Sequence, residues 1–214
     1  MDARRHPPAG RGLLITGAIF MALGLAAAAG ALVALLTSYT QVTARGAMEP
    51  TYREGARVTI EKVAGTAVRR GDVVLFAVPN RYGGLPVMQR VIGLGGDRIA
   101  LAKGSLSING RAVREPYVKR ADSALSAPDL DVTVPPNRMF LLGDNRANSN
   151  DSCYFLDEDA GTVPTTAVLG RTLASETTPV ALGLTVVLGV VGIVGGGICA
   201  VAGRRTSPGF LPHP

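Results

Sequence analysis

The 214-residue chain is poor in the residues that build disulfide frameworks and metal sites. It has two cysteines, two histidines and no tryptophan, and aromatic residues make up only 5% of it. Cys199 lies inside a long apolar block and Cys153 does not, so a disulfide between them is not expected. His6 and His213 lie in the terminal tails, and no Cys/His metal-ligand spacing is present. We therefore expect no disulfide, no metal and no cofactor.

Charged residues are absent from two long apolar blocks, Leu13–Leu36 and Val180–Val201. A helix of about 20 apolar residues crosses a hydrocarbon core of about 30 Å. The two blocks therefore predict transmembrane helices over residues 13–37 and 179–203. A cleavable signal peptide is the alternative for the first block, although its apolar region is usually only about 7–15 residues long. A buried core helix is the alternative for the second block.

Arginines flank the predicted spans on the sides that face the two chain ends. Arg4, Arg5 and Arg11 precede the first span, and Arg204 and Arg205 follow the second. Because cytoplasmic flanks carry an excess of Lys and Arg, the tails 1–12 and 204–214 are predicted to be cytoplasmic and the domain 38–178 extracytoplasmic. These arginines and a basic surface facing anionic membrane lipid account for the net charge of +6, so nucleic acid is not a predicted partner.

Small residues in the second span give it a face suited to close helix packing. Gly192-x-x-x-Gly196 matches a known packing pattern, although the pattern is common by chance in glycine-rich spans. It predicts contact with the first helix.

The region between the spans has the pattern of a β-domain. Residues Arg57–Val63 alternate apolar and polar side chains, as a half-buried strand does, and Asn109-Gly110 is a strong hairpin signal. Residues Ala121–Asp131 are predicted to form a surface loop. Further strands are predicted at Asp72–Ala77, Val87–Ile92, Leu106–Ile108, Arg111–Val113, Met139–Leu142 and Ala167–Leu169. The expected fold is an all-β, barrel-like domain with a transmembrane helix at each end.

Three stretches of this domain are candidates for a site: Gly46–Thr51, Gln89–Asp97 and Gly143–Ser152. Taken separately, they read as a proline turn, a strand exit and a polar loop. Taken in order, with Gly71-Asp72 between the first and the second, they resemble the four sequence boxes of bacterial type I signal peptidases (family S26). The resemblance covers nearly the whole domain, and its last box, Gly-Asp-Asn-Arg-Ala-Asn-Ser-Asn-Asp-Ser, is highly specific.

The resemblance implies a signal-peptidase-like fold and a serine endopeptidase that removes Ala-x-Ala signal peptides. In that family a serine of the first box attacks the scissile carbonyl after a neutral lysine has taken its proton. In this chain Ala47 occupies the nucleophile position and Gln89 the general-base position. Loss of one member of such a unit costs about 10⁶ in rate, or roughly 8 kcal/mol of barrier. No intact catalytic residue is therefore predicted.

Other family positions are kept in part. The resemblance implies that Arg90 and Asp144 form a salt bridge and that Ser149 is the serine that contacts the missing lysine. The site positions carried over are Gly46, Met48, Pro50, Thr51, Arg90, Asp144, Arg146, Ser149 and Asp151.

Further departures from the family pattern surround the missing dyad. Cys153 replaces the arginine that usually pairs with Asp151, and Gly95 replaces a proline. Arg45 stands where some members use a serine to complete the oxyanion hole. Because several site positions differ, natural divergence is favoured over an engineered single change.

Three functions remain open for a protein of the bacterial plasma membrane. The first is an inactive homologue that binds signal peptides or exported preproteins, in a groove between residues 41–47 and 87–90. The second is an active peptidase with an atypical site, which would depend on Thr51 or Cys153. The third is a non-catalytic subunit that pairs with an active signal peptidase paralogue through its glycine-rich spans.

Overall fold

The computed structural model describes residues 9–119, 128–173 and 177–205. Their contacts divide the chain into two units, one built from the two terminal segments and the other spanning Tyr39–Ala174. We describe each unit by itself.

The terminal unit contains two long helices, α1 (Ala9–Ser38) and α2 (Thr177–Arg205). The segments Gly10–Ser38 and Thr177–Arg205 are each 29 residues long and are apolar enough to cross a membrane. At 1.5 Å per residue, each is about 44 Å long. The predicted spans 13–37 and 179–203 lie inside these helices.

The two helices pack through glycines spaced seven residues apart on each helix. A Cβ placed on Gly196 would lie 2.6 Å from the carbonyl oxygen of Gly17, and one on Gly189 would lie 2.5 Å from that of Gly24. Gly203 is close to Gly10 in the same way, at 2.9 Å. The predicted contact between the spans is therefore present, but it rests on this seven-residue series rather than on the Gly192–Gly196 pair, since Gly192 makes only an ordinary contact.

The second unit consists of two antiparallel sheets and contains short 3₁₀ turns as its only helical elements among the residues that the structure describes. The larger sheet has the strand order β1-β2-β11-β3-β4-β9-β10, and the smaller has the order β7-β6-β5-β8. The strands are β1 (Tyr39–Thr43), β2 (Arg57–Glu61), β3 (Val73–Phe76), β4 (Val87–Leu94), β5 (Arg98–Ala102), β6 (Ser105–Ile108), β7 (Arg111–Ala112), β8 (Leu130–Thr133), β9 (Arg138–Leu142), β10 (Val163–Pro164) and β11 (Val168–Thr172).

The all-β prediction for this unit is confirmed, and every strand predicted from the sequence is present with ends shifted by a few residues. Asn109 and Gly110 form the predicted hairpin between β6 and β7, both with positive φ (53° and 76°), as this kind of turn requires. The predicted loop Ala121–Asp131 lies largely outside the described residues. At its end it is wrong, because Leu130 and Asp131 belong to β8, which pairs with β5.

A hydrophobic cluster beneath one end of the larger sheet supports the first sequence box. Its central side chain, Met48, is 1% exposed and packs with side chains of β2, β3 and β4. The cluster consists of Ala44, Met48, Val58, Ile60, Val73, Leu75 and Met88. It fixes the turn that carries Ala47 against the strand that carries Gln89.

Candidate functional site

The three predicted boxes converge on the turn Gly46–Met48, which follows β1. The backbone N–H of Asn145 donates to the carbonyl oxygen of Ala47 at 3.0 Å, and its side-chain Nδ2 donates to that of Gly46, also at 3.0 Å. Gly143, in the third box, lies close to the turn in the first. A Cβ on Gly143 would stand 2.2 Å from Ser149 Oγ and 2.8 Å from the Ala47 carbonyl oxygen. The turn is thus held by the loop that follows β9.

Gln89 is buried next to this turn, with 3% of its surface exposed. Its Nε2 donates to the carbonyl oxygen of Asn150 at 2.9 Å and lies 3.5 Å from the Tyr82 hydroxyl. Its Oε1 has no hydrogen-bond partner among the residues that the structure describes. An amide neither gains nor loses a proton at ordinary pH, and the Ala47 methyl group is no nucleophile. Both residues line the same groove, and neither can supply the chemistry of a dyad.

The ion pair that the resemblance implies between Arg90 and Asp144 is present. Arg90 Nε donates to Asp144 Oδ1 at 2.7 Å and its Nη2 donates to Oδ2 at 2.5 Å, with Asp144 fully buried. The Thr51 hydroxyl also donates to Asp144 Oδ2. The guanidinium lies 4.0 Å from the centre of the Tyr117 ring and donates to the Gly71 carbonyl oxygen at 2.8 Å. The Thr51 hydroxyl is therefore already bound to the Arg90–Asp144 ion pair, and Thr51 is a poor candidate for a nucleophile.

Asp151 is a buried carboxylate, 2% exposed, that forms no salt bridge among the residues that the structure describes. Burial raises the pKa of the Asp151 carboxyl, although the N–H groups of Gly143 and Cys153, which donate to it at 3.0 and 3.2 Å, a hydrogen bond with Ser149 and the charge of Arg146 all lower it. Arg146, from the same box, pairs with Glu115 and donates to the Gly143 carbonyl oxygen.

The Cys153 thiol is a poor nucleophile in this environment. Burial and the adjacent Asp151 carboxylate raise its pKa to about 12. Because the thiolate is the reactive form, Cys153 stays protonated and unreactive near neutral pH. Its side chain packs in the core between the two sheets, with Ile92 and Leu101 in the same cluster.

A groove of about 460 Å³ opens beside Ala47, between the end of β1 and the start of β4. Its apolar lining consists of Val42, Ala47, Met48, Leu75, Pro86, Val87 and Met88. Its polar lining consists of Thr43, Arg45, Tyr82, Gln89 and Asn150. This is the place where the sequence predicted a peptide groove between residues 41–47 and 87–90.

Tyr82 is a polar lining residue that sequence reasoning missed. It has a positive φ of 56° and follows Arg81, which is buried (5% exposed) and donates to the carbonyl oxygens of Gly161 and Glu158. These partners are about 80 residues away in the chain, so no local pattern predicts them. The Gly83-Gly84 pair was the available signal, since it marks a sharp chain turn here.

Comparison with known proteins shows where this chain has relatives. Residues 14–175 match the family described as "Signal peptidase, peptidase S26". Signal peptidase I U of Bacillus subtilis (strain 168) is 33% identical over 113 residues, which cover 49% of this chain and 59% of that protein. Probable signal peptidase I-2 of Synechocystis sp. is 34% identical over 130 residues, which cover 58% of this chain and 56% of that protein.

The chain thus spans a little over half the length of these two relatives. Among solved structures, a signal peptidase I from Enterococcus faecalis V583 has 30% sequence identity and a TM-score of 0.42, covering 49% of this chain and 95% of that one.

Proposed function

Because the chain belongs to the S26 signal peptidase family, we propose that it is a catalytically inactive member that binds extended signal-peptide segments of exported preproteins. The observation that carries this proposal is the open groove in which Ala47 and Gln89 stand at the two dyad positions. The scaffold of the site is present and the two reacting groups are absent.

The groove is flanked by two strand edges that can accept a peptide in extended form. β1 is the end strand of the larger sheet and pairs only with β2 among the described strands. In β4, Val87–Gln89 pair with β3 on one side, whereas pairing with β9 on the other side begins at Arg90. Free backbone groups on such edges bind a peptide by strand addition, and pockets between them select its side chains.

The apolar lining of the groove suits small or apolar side chains. Val42, Leu75 and Met88 form its walls, and it contains no aspartate or glutamate among the residues that the structure describes. An extended segment with alternating small residues, of the Ala-x-Ala kind, fits such a surface.

The absence of catalysis follows from the partners of the remaining hydroxyl and thiol groups. Thr51 donates to Asp144, and the thiol of Cys153 has its pKa raised to about 12. The carboxylates beside them do not activate them, because Asp144 is paired with Arg90 and Asp151 raises the pKa of the Cys153 thiol. An active enzyme with an atypical site has no support in this geometry.

We also propose that the protein lies in the bacterial plasma membrane, with α1 and α2 as two spans. The arginines at the outer ends of the spans favour cytoplasmic termini and an extracytoplasmic β-domain. The helices contact membrane lipid along their exposed apolar faces, where Leu23, Leu36 and Leu188 are more than 60% exposed.

The proposal is tested by comparing the full-length chain with its Ala47→Ser, Gln89→Lys double variant in detergent. A preprotein is incubated with each, and an Ala-x-Ala peptide is titrated against each. We expect the parent chain to bind the peptide without cutting the preprotein, and the double variant to cut it. By the resemblance to the family, Ser149 is the residue whose hydroxyl would hydrogen-bond a lysine at position 89.

The single variants Ala47→Ser and Gln89→Lys are the matched controls and should both stay inactive, because the dyad needs both groups. Cleavage by the parent chain would show that the site is active after all. If neither chain binds the peptide, the groove does not serve peptides, and the role of a partner subunit for an active paralogue becomes the better hypothesis.

A further inference from the structure

The groove carries one positive charge beside Ala47. Arg45 is exposed, lines the groove and has no carboxylate within 4.0 Å among the residues that the structure describes. The nearby Glu49 does not neutralise it, because Glu49 pairs with Lys119 at 2.7 Å. An unpaired guanidinium at the edge of a mostly apolar groove favours an anionic ligand group there.

Ala47 leaves room for an additional ligand oxygen. In a serine peptidase the nucleophile's Oγ approaches the carbonyl carbon of the scissile bond. With Ala47 at this position the atom is missing, and a second oxygen on the same carbon meets only a methyl group. A carboxylate differs from a peptide carbonyl by such an oxygen, so this substitution accommodates the end of a peptide better than its interior.

A buried acceptor without a partner lies at the same place. Gln89 lines the groove, and its Oε1 accepts no hydrogen bond among the residues that the structure describes. Leaving such a group unpaired is unfavourable. The last backbone N–H of a peptide supplies the donor that Gln89 Oε1 lacks.

We propose that the groove selects extended peptides that end, beside Ala47, in a small residue with a free α-carboxylate held by Arg45. This inference rests on the proposed peptide binding and refines its ligand: the preferred partner is the cleaved peptide, as an active signal peptidase would release it, and not the intact preprotein. Arg45 acts as the specificity-determining residue for the charged end.

The test uses the full-length chain in detergent and three synthetic peptides with one common Ala-x-Ala sequence. The first ends in a free carboxylate, the second in a carboxamide, and the third continues for several residues to a capped end. Binding is followed by fluorescence anisotropy at low and high salt. We expect the acid to bind about tenfold more tightly than the other two, the size expected for a hydrogen bond to a charged group. The difference should shrink in high salt.

Arg45→Gln should reduce the ratio between acid and amide affinities to about one, since the guanidinium contacts the charged end. Arg111→Gln, an exposed arginine on β7 of the smaller sheet, is the matched control for net charge and should keep the full ratio.

Equal binding of the acid and the amide, or tighter binding of the extended peptide, would overturn this inference while leaving the proposed function standing. A preference for the acid that survives Arg45→Gln would overturn the role of Arg45. If no peptide binds, the proposed function itself fails.

Discussion

Asp151 is a buried carboxylate that forms no salt bridge among the residues that the structure describes. Two backbone N–H groups, the Ser149 hydroxyl and the charge of Arg146 stabilise its ionised form, yet burial outweighs them and raises the pKa of the carboxyl group. Cys153, at the position where the family carries an arginine, packs with apolar side chains and contributes no charge. Burial disfavours the charged form of a carboxyl group, so the ionised form of Asp151 is less stable here than in water.

The raised pKa of Asp151 predicts how the stability of the folded protein depends on pH. In the unfolded chain an aspartate has a pKa of about 3.9. Because the pKa of Asp151 is higher in the folded protein, the folded state holds a proton that the unfolded state has lost in the window just above that value. Stability therefore falls as the pH rises through this window. The difference in unfolding temperature, parent minus Asp151→Asn, should accordingly grow as the pH is lowered from 7 to 4.5.

Thermal unfolding of both chains in detergent measures this difference. The pKa of Asp97 is shifted in the opposite direction. Burial raises it, but the Leu94 backbone N–H, Asn109 and Arg70 lower it overall. Its contribution to stability is therefore lost only as the pH falls below about 3.9, the pKa of an unfolded aspartate. Asp157→Asn, at an exposed position, controls for the loss of one surface carboxylate. A difference between parent and Asp151→Asn that does not change with pH would mean that Asp151 has no raised pKa.

Residues inside the sequence boxes could be placed before the structure was known, and residues outside them could not. The Arg90–Asp144 pair was predictable because both members stand at fixed positions of recognisable boxes and carry opposite charges. Tyr82 was not predictable, because its position depends on the burial of Arg81 against chain about 80 residues away. The absence of a partner for Gln89 Oε1 likewise becomes visible only when every neighbour is placed.

Among the strands, the pattern of burial explains which ones the sequence predicted. β3 and β9 are continuous apolar runs that are almost fully buried, so their composition alone marks them. β8 is only partly buried. Asp131 and Thr133 lie on its exposed face, and these polar residues weaken the strand signal. β10 has two residues and exists because it pairs with β9. Short edge strands are defined by their partners more than by their own sequence.

The close contacts between the two helices predict the effect of single glycine-to-alanine substitutions. A methyl group added at Gly196 would lie 2.6 Å from the Gly17 carbonyl oxygen and 2.9 Å from the Met21 backbone nitrogen, whereas one added at Gly195 has nothing within 4 Å. Gly196→Ala should therefore separate the helices and cost roughly 1–3 kcal/mol, as overpacking typically does. Gly195→Ala should have little effect or stabilise the helix slightly, because alanine is the better helix former.

Unfolding of the two full-length variants in the same detergent checks this prediction, and the adjacent positions make them a matched pair. Equal stability of the two variants would show that the glycine series does not hold the helices together. The series also bears on assembly: since Gly189, Gly196 and Gly203 already contact α1, these glycines are not free to pair with a second protein.

The sequence divides the whole molecule into two apolar helices and a charged β-domain. Both helices lack charged residues between Leu13 and Leu36 and between Val180 and Val201, and the β-domain holds the buried ion pairs and the groove. Hydropathy alone was enough to divide the chain in this way, because a hydrocarbon core excludes charge over a length set by its thickness. The orientation depends instead on a few arginines, which makes it open to a direct test.

Labelling of single cysteines in spheroplasts provides that test. In a Cys199→Ser background, the remaining Cys153 should not react, because it is buried and its pKa is raised to about 12. Ser105→Cys, exposed on β6, should react with a membrane-impermeant maleimide, whereas Ala3→Cys and Ser207→Cys in the tails should react only after permeabilisation. Reaction of the tails in intact spheroplasts would reverse the proposed orientation. The groove would then face the cytoplasm. Peptides released by an extracytoplasmic signal peptidase do not reach that side, so they could not be the ligands whose carboxylate ends the groove binds.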